Sequence, residues 1–95
     1  MAKEKLGSLG VIRYAFKEGV DIKVKQEGDS FVANVVEGVD EYGFGSSHSE
    51  AIDDLRQSII DLYNSLRSYS HCLGKEPKRE LRWLEKNIKI EWSDY

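Results

Sequence analysis

Cysteine is almost missing from this 95-residue sequence. The single thiol, Cys72, excludes an internal disulfide framework and points to a reducing compartment, so the expected location is cytoplasmic. Long apolar runs are missing too. None approaches the ~20 residues a membrane span needs, and the N-terminus lacks a signal-peptide core. There is one proline, Pro77, placed where a first helical turn tolerates it. No internal repeat or low-complexity segment occurs. Only two histidines are present, and His71-Cys72 could hold a metal only with partners the sequence does not supply, so a helix-end histidine and a small buried thiol are expected.

What remains is an ordinary globular composition, 40% hydrophobic and 33% charged. A chain of this size buries somewhat over ~60% of its unfolded surface, enough for one core, so residues 1–95 are read as a single domain. The net charge of −3 is unevenly spread: residues 1–26 carry +3, residues 27–61 carry −8 and residues 62–95 carry +2. An acidic middle repels nucleic acid and favours a basic protein partner. The competing interpretation is that these acids are turn residues and solvated faces.

Residues 1–9 read as a frayed terminus with two stray leucines. From Val11 to Lys17 the pattern alternates loosely, with Ile12, Tyr14 and Phe16 on one face, as in a half-buried or edge strand. Glu18-Gly19 signals a turn. Val20, Ile22 and Val24 then alternate with Asp21, Lys23 and Lys25 as a strand with one wet face. Gly28 closes a hairpin by supplying positive φ. The uncharged run Phe31–Val36 is the candidate central strand. After a turn at Glu37–Asp40, Glu41–Gly45 reads as a short strand whose glycines imply close approach of another element.

The longest element runs from His48 to about Tyr69. Ile52, Leu55, Ile59, Leu62, Leu66 and Tyr69 form one apolar stripe, reinforced by Ala51 and Tyr63, opposite a solvated face of Asp54, Gln57, Ser58, Asp61, Ser65 and Ser68. Gly74 is expected to stop this region. A second helix follows Pro77 on the stripe Leu81, Leu84 and Ile88, and Ile88, Ile90 and Trp92 alternate as a short last strand. The helix start is the sharpest signal. In Gly45-Ser46-Ser47-His48-Ser49-Glu50-Ala51 the Ser47 hydroxyl can accept from the Glu50 amide while the Glu50 carboxylate reaches back to the Ser47 amide. Gly45, Ser47 and Glu50 are thus structural cap residues, and loss of the serine cap would cost roughly 1 kcal/mol.

A hairpin, a short third strand ending in glycine, and then Gly45-x-Ser47-x-x-Glu50-Ala51 opening an amphipathic helix resembles the HicB-like antitoxin family, over roughly Val20 to Leu66. The resemblance implies an α+β fold: a three- to four-stranded antiparallel sheet covered by one long helix, in the β-β-β-α order of a truncated ribonuclease-H-like sheet without the nuclease residues. Residues 10–72 would form that core, and 75–95 a short C-terminal helix and tail. The family neutralises HicA-like toxins, small basic ribonucleases that cleave messenger RNA, and many members repress their own operon. Two departures stand out. The segment Glu37–Tyr42 lacks the proline of many relatives. The 21 residues after Gly74 hold one helix and a tail, so the expectation is a member without the usual DNA-binding unit.

No catalytic, metal-binding or cofactor residue is assigned. Asp53 and Asp54 are adjacent, hence about 100° apart on a helix, which suits no shared metal; His48 beside Ser47 and Ser49 lies where such residues cap. The first functional expectation is an antitoxin, or a regulator derived from one, that occludes a small basic ribonuclease through Asp40, Glu41, Tyr42, Asp54 and Asp61, with a homodimer through a sheet edge. The alternative is a nucleic-acid-binding regulator using Lys78, Arg79, Arg82 and Lys86, interleaved with Trp83 and Trp92. Glu76, Glu80, Glu85 and Glu91 fit instead a salt-bridged surface helix. A third reading is an orphan dimerising module, and an enzyme is the reading the residues support least.

Overall fold

The computed structural model describes residues 2–9 and 14–90. Val11, Ile12 and Arg13 of the expected first strand, and Trp92 of the last, lie outside the described residues. Among the described residues, five strands and two α-helices follow in the order β1 (Ala2–Ser8), β2 (Tyr14–Glu27), β3 (Ser30–Val35), β4 (Tyr42–Gly45), α1 (His48–Ser68), α2 (Lys75–Asn87) and β5 (Ile88–Ile90). All pairings are antiparallel, in the spatial order β1-β2-β3-β4, with β5 joined to β2. Ala15 pairs with both Ser8 and Lys89, so β5 lies on the β3 side of β2, beyond the end of β3. The fold is α+β, and the long helix packs on the sheet. No helix among the described residues is long and apolar enough to cross a membrane.

The N-terminal residues are not frayed. Ala2–Ser8 pairs with β2 from Val24 to Ala15, and Leu6 and Leu9 are each only 2% exposed. Lys3-Glu4-Lys5 hides this strand, because an edge strand tolerates charge and shows no clean alternation. Nor does Glu18-Gly19 turn the chain. Between the pairs Leu6↔Val20 and Ser8↔Ala15, one residue of β1 stands opposite residues 16–19 of β2. Gly19, at φ +75°, absorbs the surplus as a bulge, so β2 runs on unbroken. At the other end of β2, Gly28 (φ +61°) is the first residue of the two-residue turn to β3, the position that a type II′ hairpin reserves for glycine.

One sheet face is covered by α1. Ile22 on β2 and Ala33 and Val35 on β3 are buried there, with Val24 and Phe31 partly so, together with Ala51, Leu55, Ile59, Ile60, Tyr63 and Leu66 of α1. The buried arc of α1 is turned from the expected stripe: Ile60 joins the core, while Tyr69 is 61% exposed. The helix packs against β4, β3, β2 and α2, so its apolar arc must serve more than one neighbour. Leu81, Leu84 and Ile88 extend the same cluster, and Trp83 packs against it.

Two local expectations fail. Gly74 (φ −72°) does not close α1 but stands as N-cap of α2; α1 ends at Tyr69 and a 3-10 turn, Ser70–Cys72. Cys72 is exposed rather than buried, its thiol donating to the Tyr69 carbonyl at 3.4 Å. A side chain on so short a turn has nothing packed over it.

Candidate interaction surface

The strand-to-helix junction forms as a cap. Ser47 has extended backbone (φ −145°, ψ 165°), and its hydroxyl accepts from the Glu50 amide at 3.1 Å. The return contact differs from the expected one. Glu50 Oε1 accepts from the Ser46 amide (3.0 Å) and the Ser46 hydroxyl (2.7 Å), one residue before the cap. Those two donors hold its carboxyl below the usual carboxylate range. Gly45 and Gly43 have the role expected of them. A Cβ on Gly45 would collide with Glu50 and the Ala51 amide, and one on Gly43 with the backbone of Ala51 and Leu55. In the same first turn of α1, His48 Nε2 lies 2.6 Å from the Glu4 carboxylate of β1.

The neighbouring acids have separate tasks. Asp53 pairs with Arg56 on the helix surface. Asp54 Oδ2 accepts from the Phe44 amide at 2.9 Å, and Ser58 Oγ donates to the Tyr42 carbonyl at 3.3 Å. Tyr42 and Phe44 alternate with Gly43 and Gly45, so their backbone groups point away from β3. Two side chains of the helix face expected to be solvated therefore engage the outer edge of β4. This blunts the edge, as natural sheets do against unwanted pairing; β1 is the strand at the opposite end of the β1-β2-β3-β4 order. Asp54 is thus a clamp on β4, apart from the other acids of the candidate set.

Asp40, Glu41 and Asp61 do come together, and they gather Glu80. Glu41 precedes β4 and is half-buried. Its carboxyl is raised above the ordinary glutamate value, first by burial and then by the negative charges of Glu80, Asp40 and Asp61. The β3–β4 turn, α1 and α2 thus contribute like charges to one corner. Beside it an open groove of about 520 Å³ runs past Asn34, Val36, Glu37, Asp40, Tyr42 and Glu80. Glu80 could not be found from sequence, where it reads as one more acid on a salt-bridged helix; only the docking of α2 turns it toward Glu41. Its neighbour Glu76 does have the expected partner, Arg79, three residues on.

The raised carboxyl gives a signed prediction. Folded protein keeps the Glu41 proton over a pH window above the ordinary glutamate value, where unfolded chain has lost it. Stability therefore falls as pH rises through that window and stays reduced at neutral pH. Glu41→Gln is expected to be more stable than the parent at pH 7, with the difference shrinking to nothing at pH 4 and below. Urea denaturation of both proteins across that range checks it.

The basic residues of α2 lie on one side. Lys78, Arg79 and Arg82 line a shallow groove with Leu73, Gly74 and Lys75, and Lys86 is exposed in the last turn. Trp83, however, is not offered to a ligand. Its ring lies against Gly38 (φ +97°), where even a Cβ would overlap it, and meets Phe16 edge-on at 5.7 Å between centroids. The tryptophan stitches the β3–β4 turn to β2, and the helix loses the aromatic partner that single-strand binding would use. Among the described residues, no group of three or more His, Cys, Asp or Glu is placed to hold a metal ion. No family model matches the chain, and no curated protein or solved structure is significantly similar to it.

Proposed function

We propose that this chain acts by binding, as a HicB-like antitoxin or a regulator derived from one, and occludes a small basic ribonuclease that cleaves messenger RNA. The observation that carries the reading is the acidic corner. Asp40, Glu41, Asp61 and Glu80 arrive from three elements, and burial followed by the charges of Glu80, Asp40 and Asp61 raises the Glu41 carboxyl. Holding like charges together is unfavourable for the free protein, and a cationic partner relieves it. Such a patch would steer a basic ribonuclease and mask the surface that holds its RNA, without chemistry by this chain. The homodimer belongs to the same proposal, through the edge strand β1.

Co-expression with the small open reading frame beside its gene tests the reading. The expected result is a co-purifying complex that silences a ribonuclease and weakens as salt rises. The double variant Asp40→Lys with Asp61→Lys should weaken it by about tenfold or more, mostly through slower association. Absence of any complex, or affinity indifferent to both salt and charge reversal, would defeat the proposal.

A further inference from the structure

The face of the sheet opposite α1 carries an arrangement that shares Asn34 and Tyr42 with the groove beside the acidic corner but extends across the sheet away from it. Along β4 the rings of Tyr42 and Phe44 stand on that face, 47% and 61% exposed. The register continues each of them across the sheet: Tyr42 pairs with Asn34 and Asn34 with Lys23, while Phe44 pairs with Val32 and Val32 with Lys25. Two parallel rows result, each with an aromatic at one end and a lysine at the other.

We propose that this face binds single-stranded nucleic acid, Phe44 and Tyr42 stacking successive bases while Lys23 and Lys25 hold the phosphates. The inference does not rest on the antitoxin reading. Alternate residues on a strand are about 6.8 Å apart. A strand opened beyond the ~3.4 Å per nucleotide of stacked duplex spans that step. Lysines two strands away, about 9.6 Å from the aromatic strand, sit to the side of the stacked bases, where the backbone runs. A flat ring offers every base a stacking partner, so such a platform needs no sequence code.

Charge agrees with this occupant. In a chain of net charge −3, several acids of the middle block are drawn elsewhere: Asp54 to the β4 edge, Asp40, Glu41 and Asp61 to the corner. On the helix-free face Lys5 pairs with Asp21 at 2.8 Å and Lys25 with Glu27 at 3.4 Å. Both pairs are solvent-exposed and weak enough for a phosphate to displace. A second copy of the chain is the competing occupant. Two rings and the valines Val32 and Val36 offer far less than the roughly 800 Å² per partner of a stable protein interface.

Fluorescence anisotropy of the full chain with labelled oligouridylate and oligothymidylate at low salt tests the proposal, the two probes separating RNA from DNA as the ligand. Binding of at least one probe is expected. Phe44→Ala should weaken it by about tenfold or more, while Phe44→Trp should preserve it. Lys23→Glu with Lys25→Glu should weaken it further and flatten the salt dependence by about 1.4 in log–log slope. Phe44, Lys23 and Lys25 are at the surface, so circular dichroism of these variants should match the parent, and Asp40→Lys with Asp61→Lys should not weaken probe binding. The proposal is overturned if neither probe binds at low salt, or if Phe44→Ala and the lysine reversals leave binding intact. It is equally overturned if only Arg79→Glu with Arg82→Glu abolishes binding, or if Phe44→Ala abolishes self-association in a protein that binds neither probe.

Discussion

Gly43→Val is expected to destabilise the fold severely. Gly43 pairs with Ala33 in the β3–β4 ladder, the only one β4 has among the described residues, and its other face meets α1. A side chain there would enter the backbone of Ala51 and Leu55, so no rotamer can relieve the contact and the helix itself must lift. Ala51 and Leu55 are fully buried in the cluster that holds the sheet, and the lift would open that cluster along α1. Overpacking commonly costs 1–3 kcal/mol; with backbone on the far side the expectation is about 3 kcal/mol or more. For a domain of this size that lowers Tm by roughly 12 °C or more. Calorimetry of Gly43→Val beside Gly28→Ala isolates the cause. A Cβ at Gly28 meets nothing within 4 Å, so that variant bears only the strain of its positive φ. Equal losses for the two would show that close packing at β4 is not the source.

The second large effect concerns α2. Leu84→Ala should cost about 2–5 kcal/mol, the range for truncating a buried leucine. Leu84 is 0% exposed in the same cluster as Leu55, Ile59 and Ile22, and the helix that carries it runs directly into β5, paired with Tyr14–Phe16 of β2. The C-terminal segment is thus built into the sheet. The expected outcome is one cooperative transition at lower temperature, in which near-ultraviolet signals of the tryptophans and far-ultraviolet signals of the whole chain move together. Separate transitions, with α2 melting first and the rest unchanged, would show that α2 is an appendage.

These two sites also mark where the sequence is legible. The Ser47–Glu50 cap, the Gly28 hairpin and the two β4 glycines carry local signals, because each is demanded by backbone geometry within a few residues. They were readable, and so was the strand-then-helix order that makes the fold α+β. The strand β1 was not. Its charges alternate with no apolar partner, and its pairing with β2 is not encoded in its own period. The bulge at Gly19 looks like a turn because both require positive φ; only the register distinguishes them. Trp83 reads as a surface aromatic among basic residues until the β3–β4 turn is folded against it.

The surface divides in the same way. Asp40 and Glu41 are adjacent in sequence, and an acidic patch around them was readable. Asp61 joins them only through the position of α1, and Glu80 only through that of α2. Asp54, which looks equivalent to Asp61 on a helical wheel, is instead committed to the Phe44 amide. The rows Tyr42–Asn34–Lys23 and Phe44–Val32–Lys25 belong to no sequence pattern at all, being products of register across three strands.

By itself, then, the sequence determined the elements whose causes are short in range: caps, hairpin turn, helix periodicity, and the glycines that admit a close neighbour. Tertiary structure decided which strand lies at each edge, which acids share a corner and which face of the sheet stays bare. The reason is physical. Backbone preferences act over a few residues, whereas strand register and helix docking follow from burying apolar surface contributed by segments far apart in the chain. A one-residue change of register would send Lys23, Lys25, Tyr42 and Phe44 to other neighbours while leaving every local signal in the sequence as it is.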